Sequence, residues 1–187
     1  MFAMTVIALV VSGLSLVVAG LGTYLSNKRA SEAIEEARKA ADAVLWTGAQ
    51  EAIQRLIGFD PASEPVAERL TNLRISMITL VDELDGWDDF DQWLEAERVL
   101  GTTLGRQVME RASPQDTVDD RLAILDPYQR WAQLFGHNLR HFRNEWYNAD
   151  TVWELRGHAS DEVRRVCDAN GWPLPPTTIP GLRQVGD

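Results

Sequence analysis

The chain is poor in the residues that usually announce a chemistry. Among 187 residues there is one cysteine, Cys167, so no intrachain disulfide can form. With no paired thiol and no charged activator in a redox motif, Cys167 reads as a small residue packed on a short helix. The phosphate-cradling GxxxxGK[ST] and GxGxxG patterns are missing, as are HExxH, GxSxG and CxxC. No internal repeat is present. Positive charge is also scarce, with 18 Lys and Arg against 28 Asp and Glu, a formal charge of −10. That balance excludes a nucleic-acid partner, because phosphates require a basic surface. It also argues against a domain lying flat on an anionic leaflet, which would repel it. No catalytic, cofactor or metal site is predicted, and no catalytic activity is evident.

Charge of either sign is wholly missing from residues 1–27, MFAMTVIALVVSGLSLVVAGLGTYLSN, up to Lys28 and Arg29. A helix needs about 20 apolar residues to cross a hydrocarbon core of roughly 30 Å, and the stretch from Thr5 to Leu25 satisfies that. Tyr24 and Phe2 stand at its ends, where aromatic rings suit the headgroup level. A cleaved signal peptide fits less well, since no basic residue precedes the run and Val18-Ala19-Gly20 is a poor cleavage match. Residues 1–27 are therefore expected to be a retained transmembrane anchor in the lipid bilayer. Lys28, Arg29, Arg38 and Lys39 all follow the span, so the N-terminus is expected outside the cell membrane and the C-terminal domain in the cytoplasm.

Small residues in the span fall in register. Ser12, Ser15, Ala19, Gly22 and Ser26 step by three and four, and after a further step of four the stripe continues through Ala30, Ala33 and Ala37. Such spacing keeps residues on one side of a helix. In lipid, where helices associate by close packing, small residues on one face predict a self-association seam and hence a homo-oligomer.

The remainder, about 160 residues, suffices for one domain with its own core. Residues 28–57 read as a juxtamembrane helix entering it, and 58–169 as an acidic helical bundle. In the helix from Glu64 to Leu84, with Ser63 as N-cap, Val66, Leu70, Leu73, Met77, Leu80 and Leu84 form an unbroken heptad seam. Ile75 and Ile78 fall off that seam, which points to neighbours on more than one side and makes this helix the expected centre of the bundle. A third helix opens near Trp87-Asp88-Asp89 and buries Phe90, Trp93, Leu94, Leu100, Leu104 and Val108. Residues 113–126 read as a connector with a short helix capped by Thr117. A fourth long helix then restarts at Asp126-Pro127, with Tyr128, Trp131, Ala132, Phe135, Leu139, Phe142 and Trp146 on one stripe. Asn148 to Gly157 is ambiguous, at most a turn with Trp153 and Leu155 inward. Ser160 opens a short C-terminal helix to Ala169, and residues 170–187 form a Pro-rich, extended tail with Trp172 and Leu174 positioned to pack back.

Within the third helix, Glu97 projects onto the apolar face, while Gly101 and Gly105 weaken the helix by about 1 kcal/mol each. Close approach of another helix is the expected compensation, a ligand gap the alternative. Glu97 is expected to pair with Arg69 or Arg74, or else to be a desolvated acid. Asp82, Glu83, Asp85, Asp88, Asp89, Asp91 and Glu95 crowd nearby, but Trp87 and Phe90 stand where a calcium loop needs a ligand and glycine. They read as solvated helix-capping acids. His137, His141 and Glu145 are four apart, yet the histidines lie opposite the apolar stripe, and no further zinc ligands are identifiable. With Arg130, Arg140 and Arg143 they form a solvated basic face.

The sequence thus predicts an all-α protein: a single transmembrane helix continuing into a juxtamembrane helix and a four-helix-bundle-like domain. Its expected role is a membrane-anchored interaction or scaffold module, self-associating and recruiting a further protein partner. Two alternatives stand beside it: a ligand sensor or enzyme with a pocket near Glu97, Gly101 and Gly105, and a small accessory subunit of a larger membrane complex.

Overall fold

The computed structural model describes residues 2–84, 86–145 and 147–176, of which 2–27 are described by their backbone alone. Among the described residues there are five helices and no strand: α1 Phe2–Gln54, α2 Val66–Asp82, α3 Phe90–Arg111, α4 Val118–Glu145 and α5 Ala149–Asn170. The chain divides into two compact units, Met1–Ala43 and Val44–Asp187. In the first, residues 28–41 are exposed, and the ion pairs Lys28–Glu32 and Lys39–Glu35 link neighbouring turns. The expected span and the seam residues Ser12, Ser15, Ala19, Gly22 and Ser26 lie outside the residues whose side chains are described. Among the described residues no helix is long and apolar enough to cross a membrane.

The second unit is a helical bundle, and its centre is α3 rather than α2. Helices α2, α4 and α5 all pack on α3. The reason lies in residue size. Ala96, Gly101, Thr103 and Gly105 widen the buried surface of α3 beyond the Phe90–Val108 stripe, so it can accept neighbours on several sides. On α2 the heptad seam from Val66 to Leu80 is buried, but Ile75 and Ile78 are 59% and 50% exposed; they face outward instead of meeting a second neighbour.

Two breaks read from the sequence are bridged. Helix α4 begins at Val118 and runs through Pro127. Thr117 caps it in a reciprocal arrangement: its hydroxyl accepts from the Asp120 amide at 3.2 Å and donates to the Asp120 carboxylate at 2.6 Å. Helix α5 is one 22-residue helix, not a turn followed by a short helix. Asn148 caps it by accepting from the Thr151 amide at 3.0 Å. Ser160 is buried in its interior, and Trp153 is 64% exposed rather than inward. Gly171, at φ 65°, supplies the left-handed C-terminal stop. Ser63 does not cap α2: its hydroxyl donates to Asp60 at 2.8 Å, and α2 starts three residues later, at Val66, with Pro65 in the N-cap position.

The core is aromatic. Trp46, Trp87, Phe90, Trp93, Phe135 and Phe142 are buried and meet mostly edge to face, as at Trp87–Phe90 (4.9 Å) and Phe90–Phe142 (5.3 Å). Trp46 brings the last turns of α1 into this cluster, and Ile53 packs on Gly136 of α4. Trp172 and Leu174 pack back on the core, with the Arg106 guanidinium 4.1 Å from the Trp172 ring.

Candidate functional site

On α3, Trp93, Glu97, Gly101 and Gly105 follow at steps of four and therefore share one face. Glu97 is 6% exposed. Neither Arg69 nor Arg74 reaches it: Arg69 bonds the Arg55 carbonyl and Glu64 instead. Its partners are two indoles. Trp93 Nε1 donates to Glu97 Oε1 at 3.0 Å, and Trp131 Nε1 on α4 donates to Oε2 at 2.8 Å.

The glycines explain how the second indole arrives. A Cβ at Gly101 would lie 2.2 Å from the Trp131 ring, so only glycine leaves room for this side chain to lie across α3 and reach Glu97. At Gly105 a Cβ would meet Val66 and Tyr128 at ordinary contact distances of 3.7–3.8 Å. The expected close approach is thus made at Gly101 by an aromatic side chain of α4.

Beside this cluster, a cavity of about 580 Å³ lies between α4 and α5 over α3. Glu97, Leu100 and Leu104 of α3 line it, with Trp131 and Leu134 from α4 and Leu155 and Ala159 from α5. Gly101 and Gly105 are not part of the lining. The remaining charged groups along it are mostly satisfied by neighbours on their own helix. Arg130 donates to Asp126 at 2.7 Å, and Arg165 forms a two-pronged pair with Glu162. His158 completes the set.

Burial pushes the Glu97 carboxyl up to about 7, the two indole hydrogen bonds offsetting only part of the cost of desolvating its charge. An acid that changes state near neutral pH, at the edge of a largely apolar cavity, is able to bind a cation when ionised or donate a hydrogen bond when protonated.

The other sequence candidates do not gather into a site. Asp89 lies 3.7 Å from Arg156 and accepts from Gln92, and Glu95 pairs with Arg98, so bases do stand among these acids. Asp85 lies outside the described residues. His137, His141 and Glu145 are exposed, and among the described residues no group of His, Cys, Asp and Glu is placed to hold a metal ion. Cys167 is buried in α5, which pushes its thiol up. Ala30, Ala33 and Ala37 of the seam are exposed.

Sequence reasoning found Glu97 but missed both indoles. Trp93 was within reach, four residues before Glu97 on one helix face. Trp131 was not, because its approach depends on how α4 crosses α3. Comparison with protein-family models, curated proteins and solved structures finds no match to this chain.

Proposed function

We propose that this protein is a membrane-tethered sensor that binds a small molecule in the cavity between α4 and α5. The observation that carries this reading is the Glu97 carboxylate, buried, held by two indole N–H groups and bordering an apolar cavity of about 580 Å³. A cavity of this size accommodates one small organic molecule. A buried carboxylate without a basic partner weakens a fold, and a ligand-binding role accounts for its presence. The uncharged run at residues 1–27 supports tethering, with the bundle on the cytoplasmic side. Thermal unfolding of the full chain in mild detergent tests the reading, with and without a pool of cellular metabolites. The pool should raise the wild-type midpoint and leave Glu97→Gln and Leu155→Trp, which narrows the cavity, unmoved. No shift in the wild type, or equal shifts in all three proteins, would sink it.

A self-associating interaction or scaffold module remains a second reading, as does an accessory subunit of a larger membrane complex. The observation favouring either is the exposure of Ala30, Ala33, Ala37 and Ile34, the last at 71%. Binding and assembly are compatible, since a tethered bundle that changes with its ligand can report through a neighbouring copy.

A further inference from the structure

The chemistry around the cavity selects among ligands. Its ionisable groups are Glu97 on α3, Asp126 and Arg130 on α4, and His158, Glu162 and Arg165 on α5. Each arginine is engaged by an acid three or four residues away on its own helix, so neither rim cation is unopposed. Glu97 is the one acid of the set with no base beside it. A carboxylate offers about four lone-pair sites, and the indoles of Trp93 and Trp131 occupy one on each oxygen. The remaining sites can accept from a ligand. Trp131 also lines the cavity, and an indole attracts a cation through its ring quadrupole. The rest of the lining is mainly aliphatic, with Leu100, Leu104, Leu155 and Ala159 beside the polar Asn138.

We propose that the cavity binds an organic ammonium ion with an apolar body, its N–H groups donating to Glu97 beside Trp131 and its carbon skeleton covering the leucines. The proposal rests on the pocket reading above and narrows it to one ligand charge. An anion would be repelled by Glu97 and would find, besides His158, only arginines that are already paired. A neutral molecule would cover the apolar wall but leave the ionised carboxylate buried without a counter-charge, a costly arrangement.

Three probes of one shape separate these cases: phenethylammonium, phenethyl alcohol and phenylacetate, each titrated by calorimetry into the full chain in mild detergent at pH 8. Phenethylammonium should bind at least about tenfold more tightly than the other two, and Glu97→Gln should remove that preference. As a measurement on the wild type alone, its affinity should fall as pH is lowered from 8 to 6, while that of the alcohol changes little. Equal or tighter binding of the alcohol or of phenylacetate would overturn the ammonium assignment and leave the pocket reading intact. Absence of binding by all three probes, in a protein that the metabolite pool still stabilises, would do the same. Failure of both the probes and the pool would remove the pocket itself.

Discussion

Glu97 stores an unfavourable charge inside the bundle, and the sign of its effect on stability is determined by the direction of its shift. Its carboxyl is raised from 4.5 to about 7, so between those values the folded chain holds a proton that the unfolded chain has lost. Stability therefore declines as pH rises through that window and levels off above it, by an amount on the order of 3 kcal/mol. In Glu97→Gln this component disappears, because the amide does not titrate. The variant carries a roughly constant penalty of its own, since the amide NH2 that replaces one carboxylate oxygen is a donor and faces an indole N–H that needs an acceptor. Denaturant unfolding of the full chain in detergent at pH 5 and pH 8 measures the difference. Wild type should lose more stability than the variant between the two conditions; parallel pH dependences would show that Glu97 does not titrate in this range. Glu97 was legible as an acid on an apolar face, and desolvation was one of its two readings, but its partners were not legible. An arginine is the usual partner for such an acid, and a sequence offers no direct sign that two indoles will take its place.

The elements show where local signals mislead. Heptad spacing located the buried faces of α2, α3 and α4 well, because amphipathic periodicity records burial directly. Breaks were harder. Pro127 was expected to start a helix and instead lies inside α4; Ser160 was expected to open a short helix and lies in the interior of α5. In both helices, packing on α3 outweighs local propensities of about 1 to 3 kcal/mol. The rank of the helices was equally hidden: α2 has the cleaner seam, but α3 has the small residues that admit several neighbours. Gly101 and Gly105 test this account as a matched pair. At Gly101, alanine would press its methyl into a rigid ring that is fixed at its far edge by the Glu97 bond, and should cost about 1–3 kcal/mol through overpacking. At Gly105 the same change meets only ordinary contacts, and the better helix propensity of alanine should leave stability unchanged or raised by up to about 1 kcal/mol. Thermal or denaturant unfolding of the two variants reads the contrast. Similar losses at both positions would mean that α4 does not approach α3 through Trp131 at Gly101.

For the molecule as a whole, the proposals about the bundle and about the membrane rest on different supports. The ligand site belongs to the unit Val44–Asp187 and draws on distances, burial and charge. Tethering and assembly draw on residues 1–27, whose absence of charge is a property of the sequence alone, and on the exposed surface of residues 28–41. The two therefore have to be tested separately. If the small residues form a seam, replacing Ser15 and Ala19 together with leucine should obstruct close helix approach in lipid while leaving the span hydrophobic enough to insert. Gently extracted wild-type protein should then have a mass above that of one chain plus its bound detergent, and the double variant should shift toward one chain. Both should remain with the membrane fraction after an alkaline wash. Release of the wild type by that wash would remove the anchor. An oligomer unchanged by the leucines would place assembly elsewhere, with the exposed Ile75 and Ile78 of α2 as the next surface to alter. If oligomer mass also changes when phenethylammonium is added to wild type but not to Glu97→Gln, binding at α3 is coupled to assembly, and the sensor and scaffold readings describe one mechanism. If mass is indifferent to the probe while the probe binds, the bundle signals without changing the number of copies.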